Sequence, residues 1–543
     1  MARAHVTVAA GTAASRVTGL VRIVVFGAVV GQTALADAYD LANNAPNVVF
    51  ELLLGGVLAA TLVPLVTRHL DAGDDGAIRA LLGTAVAAIL ALTAIGVAAA
   101  PLVVRAFTLD PAAAVDADEF RRVATDLTRV LMLQVAGYGL TAVASAVLNA
   151  RRRFAAAAWA PVLANAVTIA ALLGMRADLA RRPALADAAR GGGAFPWLAL
   201  GSTLGIGAMA LAVVAAAARA GVRPPLPRPR LSHPAVRDLL RASAWSVAYI
   251  ATNQVGLVVV KNLADPGSGG VDAYAKAFTI FQLPHGLAAV TIATTAAPEL
   301  ARLAARAGSA PADGAARAAF AERFVRAARA TAFLALPASL GLLALARPLV
   351  AALLERGAFD AAATTATSRA LAGLAVGLAG FSVYLLALRG FYSHGDTRTP
   401  FVVNAGQNAL NVVLAVALAG RLDVLGLGLA FSGSYLVAAA VALAALSRRH
   451  GTPGVGRLAA GVAPMVAAAA AMAVAVRASR ELVLGDAGAA GTIAVARTLV
   501  GLVVGLLVYG GLALALRVPE ARALAASLRA PISPRAPRGR RDG

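Results

Sequence analysis

Runs of about twenty apolar residues recur along this chain, separated by short segments where arginine, aspartate, glycine and proline collect. A helix needs about that many apolar residues to cross the hydrocarbon of a bilayer. The ten-residue alternation of a membrane barrel is absent. Fourteen spans can be drawn, at 7–31, 43–67, 80–104, 125–149, 155–175, 196–218, 242–260, 273–298, 330–354, 368–388, 400–420, 424–446, 458–476 and 494–516. The pattern predicts an all-α integral membrane protein with 14 transmembrane helices.

The polar segments then orient the spans. With the N-terminus in the cytoplasm, cytoplasmic segments carry roughly twice the Lys and Arg of the external loops, which is the positive-inside bias and implies an even number of spans with both termini inside. The 5–6 loop, with Arg176, Arg181, Arg182 and Arg190, fits this bias worst. A formal net charge of +22 would suggest nucleic acid in a soluble protein. Here 59% of residues are hydrophobic and 14% charged, so the charge reads as topology and no nucleic-acid partner is expected. There is no cysteine, which excludes disulfides, thiolate chemistry and Cys-based metal sites. Arg16 and Arg22 interrupt any signal-peptide core, so the first helix is expected to stay.

One linker divides the chain. Residues 221–234, GVRPPLPRPRLSHP, are basic and too proline-rich for a helix interior. The halves on either side resemble each other. Asp37-Ala38-Tyr39 opens a run that reaches Pro64 after 27 residues, and Asp272-Ala273-Tyr274 opens one that reaches Pro298 after 26. Pro46 and Pro284 interrupt these runs. Phe154 precedes Pro161-x-x-x-Asn165, and Phe391 precedes Pro400-x-x-x-Asn404. The expected organisation is a first six-helix lobe at 1–220, a cytoplasmic linker at 221–236, a pseudo-symmetric second lobe at 237–450, two extra spans at 451–517 and a basic tail at 518–543. Parallel repeats of this kind place a substrate cavity between the lobes and rock one against the other.

Charge inside the spans is the candidate chemistry. Arg16 sits near the middle of span 1, and Arg22 follows six residues later, about 9 Å along the helix and about 120° around it, so both can border one broad cavity. An unpaired arginine at the bilayer centre costs about 2.5–3.5 kcal/mol on insertion scales. Snorkelling is the alternative; it suits Arg22 better than Arg16, which has apolar or small residues on both sides. Guanidinium forks match phosphate oxygens, so the pair suits a phosphate-bearing substrate. Glu51 in span 2 is the obvious counter-ion of an empty cavity. Asn404, Asn408 and Asn411 share a face of span 11, Tyr249 and Asn253 are four apart in span 7, and Lys276, Gln282 and His285 lie in span 8. Such amides are either helix-packing hydrogen bonds or cavity lining. Gly55-Gly56, between Pro46 and Pro64, can serve bending or close packing.

The stretch SRVTGLVR at 15–22, followed by ADAYDLANNAPNVVFELLLGGVLAATLVPLVTR at 36–68, resembles the first two spans of the MurJ (MviN) family of lipid II flippases. LNARRRFAAAAWAPVLAN at 148–165, FQLPHGLAAVTIATTAAPEL at 281–300, ERGAF at 355–359 and RGFYSHGDTRTPF at 389–401 extend the resemblance across spans 1–12, and spans 13–14 match the family's extra pair. The resemblance implies the fold of the multidrug/oligosaccharidyl-lipid/polysaccharide exporter superfamily in a bacterial cytoplasmic membrane. It implies movement of the undecaprenyl-diphosphate-linked peptidoglycan precursor to the outer leaflet, an arginine cluster on the diphosphate, and a polyprenyl tail held beside spans 13–14. Arg16 and Arg22 match the family's span 1 arginines, and Asp37 its acid after span 1. Asn44 falls in the same quoted stretch as a further polar candidate. The chain departs where Gram-negative members carry an arginine pair, here Phe50 and Glu51, where they carry a following acid, here Gly55, and where they carry a span 8 arginine, here Thr279. Lys276, one turn before Thr279, can substitute.

Expected partners are therefore lipid II or a similar polyprenyl-diphosphate lipid, the bilayer, cell-wall synthesis proteins, and a coupling ion or the membrane potential. No GxxxxGK[ST] occurs and only two lysines exist, so this is not a P-loop ATPase and no cofactor is expected. Six scattered histidines without HxxxH or HExxH argue against a metalloenzyme on polyprenyl phosphates. A flippase for another polyprenyl-linked saccharide and a membrane scaffold remain the rival readings. A scaffold has no use for arginine at mid-membrane.

Overall fold

The computed structural model describes residues 2–51, 68–69, 72–151, 153–179, 182–221, 234–286, 290–309, 314–451, 455–484 and 491–529. The Gly55-Gly56 segment, most of the Pro-rich linker and the end of the basic tail lie outside these residues. Among the described residues there are helices and no strand. In chain order they are α1 (Ala2–Val30), α2 (Ala34–Phe50), α3 (Asp75–Phe107), α4 (Ala117–Leu131), α5 (Gln134–Ala150), α6 (Ala155–Asp178), α7 (Leu185–Ala189), α8 (Ala194–Arg219), α9 (Pro234–Leu263), α10 (Gly270–Pro284), α11 (Val290–Ser309), α12 (Gly314–Leu354), α13 (Ala361–Val376), α14 (Leu378–Ser393), α15 (Arg398–His450), α16 (Val455–Leu484), α17 (Gly491–Ala515) and α18 (Pro519–Arg529). Each of the fourteen expected spans coincides, in whole or part, with one or two of these helices.

Among the described residues, nine helices are long and apolar enough to cross a bilayer, or ten if α13 and α14, bent by 48°, count as one span. One of the nine is double. The 53-residue α15 is two helices meeting at Asp423, whose φ of 51° and ψ of −135° break the helical path. The sequence places the boundary between spans 11 and 12 at 420–424, and the break falls there.

Side chains define where the helices begin. Thr33 accepts a hydrogen bond from the Ala36 amide, Asp74 from Ala77, Asp116 from Glu119 and Asp360 from Ala363, each satisfying an amide at a helix N-terminus. The RGFYSHGDTRTP turn is held the same way. Burial would push the Asp396 carboxyl up, but the Thr399 hydroxyl and amide and the Arg449 guanidinium outweigh it and hold it below the usual carboxylate range.

Packing separates two sets of helices. In the first, α6 packs on α1 and α8, while α2 to α5 complete the lobe. In the second, α15 packs on α9, α13 and α14, and α12 on α11 and α13. The extra helices α16 and α17 pack on each other and against α12. The asparagines of the two Pro-x-x-x-Asn motifs do the same work in both lobes. Asn165 on α6 donates to the Ser15 carbonyl at 3.3 Å and the Thr18 hydroxyl at 3.0 Å, both on α1. Asn404 on α15 donates to the Tyr249 carbonyl at 3.4 Å on α9. Ser15 precedes Asp37 by 22 residues and Tyr249 precedes Asp272 by 23, so these contacts sit at equivalent places in the repeat.

Small residues bring backbones together where α13 meets α15. A Cβ on Gly428 would meet the Ala370 carbonyl oxygen and the Leu374 nitrogen at 2.8 Å each, and the Ser432 hydroxyl donates to the Gly373 carbonyl at 2.6 Å. Gly420, earlier on α15, faces open space. Gly428→Val is therefore expected to destabilise the protein by about 1–3 kcal/mol through overpacking, whereas Gly420→Val is expected to be near neutral. Thermal unfolding in detergent, read by size-exclusion recovery, checks the contrast.

Candidate functional site

Among the described residues, hydrogen bonds join the lobes at the end of the molecule where α1, α3, α9 and α12 finish. There the Ala358 amide donates to the Ala28 carbonyl at 2.8 Å, and the Arg182 guanidinium also reaches the Ala358 carbonyl. Asn262 bridges to the α3–α4 connection, accepting from the Leu109 amide at 2.6 Å and donating to the Ala106 carbonyl at 2.7 Å. The Ala112 amide donates to the Pro266 carbonyl at 2.9 Å.

Asp37 is the centre of this closure. It sits on the first turn of α2, has no exposed surface, and reaches across to the turn between α9 and α10. One carboxylate oxygen accepts from the amides of Gly267 at 2.9 Å and Gly269 at 2.8 Å, and the other from the Asp272 amide at 2.8 Å. The sequence DPGSGG allows this. Gly267 and Gly269 take φ values of 102° and 90°, which turn their amides towards one point. The third amide belongs to the first turn of α10, where a negative charge is favoured. Asp37 thus joins the lobes, and it is not among the described residues lining the cavity beneath.

That cavity lies between the lobes and encloses about 480 Å³. Its walls come from α1, α2 and α6 on one side and from α9, α10 and α15 on the other. Among the described residues three cations line it, Arg22, Lys261 and Lys276, together with three carboxylates, Asp40, Glu51 and Asp272. Lys276 is paired with Asp272 one turn back on α10, and its ammonium also lies 5.0 Å from the centre of the Phe26 ring and 5.6 Å from that of Phe359. Lys261 on α9 is paired with Asp40 on α2, across the lobes. Glu51 accepts from the Gln254 amide at 3.2 Å, a second link between lobes. Arg22 has no carboxylate partner among the described residues.

The remaining expected site residues divide. Asn44, Asn253 and Asn408 line the cavity, with Asn408 donating to Asn253 at 2.9 Å. Asn404 is fully buried in the α9–α15 contact, and Asn411 lines the cavity from the same helix face. Arg16 is exposed on α1 and is not among the described lining residues. His285 contacts the Ser382 hydroxyl at 2.9 Å, away from the cavity. Sequence reasoning passed over Lys261 and Asp40. The signal was present: among 49 basic residues only two are lysine, and both lie here. Buried polar atoms without a protein partner among the described residues, the Asn44 Nδ2, Gln254 Oε1, Asp272 Oδ2 and Asn411 Oδ1, belong to lining or second-row side chains of the same cavity.

Two helical lobes pinned at one end around a polar, charge-lined cavity have the architecture of a membrane transporter. The comparisons narrow the class. A solved structure described as lipid II flippase MurJ in an inward closed conformation matches with a TM-score of 0.73 at 19% identity, covering 94% of this chain and 99% of that one. An inward-facing multidrug resistance MATE family transporter of the MOP superfamily matches with a TM-score of 0.59 at 17% identity, covering 80% and 98%. The probable lipid II flippase MurJ of Rhizobium meliloti is 32% identical over 429 residues, 78% of this chain and 76% of that protein. The lipid II flippase MurJ of Burkholderia cenocepacia is 30% identical over 411 residues, 74% and 75%. The family model for lipid II flippase MurJ matches residues 26–496. The chain belongs to the MurJ family.

The Asp37 latch makes a direct prediction. Charge-assisted bonds to a buried carboxylate are worth about 1.5–3 kcal/mol each, so Asp37→Ala is expected to speed amide exchange at Gly267, Gly269 and Asp272 by roughly 10- to 100-fold. Hydrogen–deuterium exchange over the 264–276 peptide measures this. Unchanged protection there contradicts the latch.

Proposed function

We propose that this protein moves lipid II, the undecaprenyl-diphosphate-linked peptidoglycan precursor, from the inner to the outer leaflet by alternating access. Family membership and the relatives' activity support the substrate. The observation that carries the site is Arg22, a guanidinium lining the interlobe cavity with no carboxylate of its own, beside two lysines that are each already neutralised. An oxyanion entering this cavity gains a free bidentate donor at Arg22 and lowers its desolvation cost. A cavity of about 480 Å³ has room for the charged root of the headgroup.

With the N-terminus inside, the pinned end of the lobes faces outwards and the cavity loads from the cytoplasmic leaflet. Arg16, about 9 Å further towards the cytoplasmic end of α1, meets the diphosphate on the way in. The lobes then rock, the Asp37 contacts part, and the headgroup leaves outside while the polyprenyl chain stays in lipid beside α16 and α17. The formal charges of the described lining residues cancel, and on this count the loaded state carries the substrate's own negative charge. A membrane potential negative inside favours its outward movement by about 2.3 kcal/mol per charge per 100 mV.

Reconstituted vesicles test the proposal by asking whether an enzyme added outside gains access to lipid II. Loss of one charged hydrogen-bonding partner costs about 1.5–3 kcal/mol, so Arg22→Ala is expected to slow transport roughly 10- to 100-fold. Arg16→Ala is expected to have a smaller effect at equal protein levels. Normal rates in both variants would remove the arginines from the mechanism, and no access with the wild-type protein would remove lipid II as substrate.

A further inference from the structure

The two lysines of the cavity are not equivalent. Lys276 and Asp272 stand one turn apart on α10, so they stay together whatever the lobes do. Lys261 is on α9 and Asp40 on α2, so their ion pair must break when the lobes separate at this level. Asp40 lies one turn after Asp37 on the same face of α2. The first two turns of α2 therefore grip the α9–α10 corner at two points, through Asp37 on the turn and through Asp40 on the lysine that precedes it.

The cost of parting falls on one partner. The Lys261 side chain is 6% exposed and that of Asp40 25% exposed. Cavity water can take over an uncovered carboxylate more readily than a buried ammonium, and a buried charge stripped of its partner is strongly destabilising. An empty cavity thus keeps the lobes closed. An oxyanion held at Arg22 changes that balance, because Lys261 lines the same cavity and can exchange Asp40 for a phosphate oxygen.

Building on the proposed transport of a diphosphate lipid, we propose that the Asp40–Lys261 pair is the switch that couples anion binding to opening of the pinned end: the substrate's phosphate replaces Asp40 on Lys261 and so releases α2. Glu51 and Gln254 form a weaker second link deeper in the cavity, and Lys276 remains with Asp272 throughout.

The chain has no cysteine, so a single Asn43→Cys on the cavity wall reports access without background. Vesicles of both orientations are treated with a membrane-impermeant maleimide, and the side from which the otherwise wild-type protein is protected is the closed side. Undecaprenyl diphosphate is expected to raise labelling from that side several-fold, and undecaprenol, which lacks phosphate, to leave it unchanged. Lys261→Met and Asp40→Asn are each expected to be labelled from that side before any lipid is added, with no further rise on undecaprenyl diphosphate. The exchanged pair Asp40→Lys/Lys261→Asp is expected to restore protection, and Lys276→Met to keep it. Wild-type protection in both Lys261→Met and Asp40→Asn overturns the proposal. So does a wild type indifferent to undecaprenyl diphosphate. The substrate reading fails separately: a wild type that opens with undecaprenyl diphosphate but does not move lipid II sinks that reading and leaves the switch standing.

Discussion

Asp37 holds a carboxylate with no exposed surface, and it does so because three amides of the opposite lobe turn towards it. A buried charge that kept only its own lobe's company would be costly, so the lobes are drawn together at this point. The same constraint orders the cavity below. Lys261 finds Asp40, Lys276 finds Asp272, and Glu51 finds Gln254. Arg22 is the lining cation for which the described residues offer no carboxylate. Two of these contacts cross between the lobes and one stays within α10, so the paired charges hold the cavity together while Arg22 is left to meet an anion.

The two halves share a scaffold and have divided the chemistry. Asn165 and Asn404 tie equivalent helices together in each lobe. Asp37 and Asp272 occupy equivalent turns, yet Asp37 binds the other lobe while Asp272 holds a lysine of its own helix. Arg22 precedes Asp37 by 15 residues. One residue off the equivalent distance before Asp272 stands Gly256, where a Cβ would collide with the Asn408 side-chain Oδ1 at 2.4 Å. The first lobe therefore supplies the guanidinium and the latch, and the second supplies both lysines. In the proposed cycle, moving the lobes apart takes the cations away from one another, which favours release of a bound anion.

Much of this was legible in the sequence because hydrocarbon leaves so few solutions. The apolar runs marked the helices, and the repeated Asp-Ala-Tyr and Pro-x-x-x-Asn motifs raised the expectation of two lobes. Arg22 and Lys276 could be singled out because charge inside a span needs a reason. What periodicity could not convey was which way each side chain faces. Asn404 and Asn408 share a helix face, but only Asn408 reaches the cavity, because Asn404 lies where α9 and α15 touch. Asp40 sat in plain view and was missed, since its partner is 221 residues away. The break at Asp423 was readable from the short polar interruption between two apolar runs, whereas the closure around Gly267 and Gly269 depends on positive φ values that no pattern of hydrophobicity encodes.

The central claim is that the interlobe cavity receives a diphosphate on Arg22. A cryo-electron microscopy structure of the protein in a lipid nanodisc with undecaprenyl diphosphate tests it most directly. The account predicts both phosphates between the lobes, with at least one oxygen within hydrogen-bonding distance of the Arg22 guanidinium. Phosphates bound only on the outer surface of the lobes, with Arg22 untouched, would contradict it.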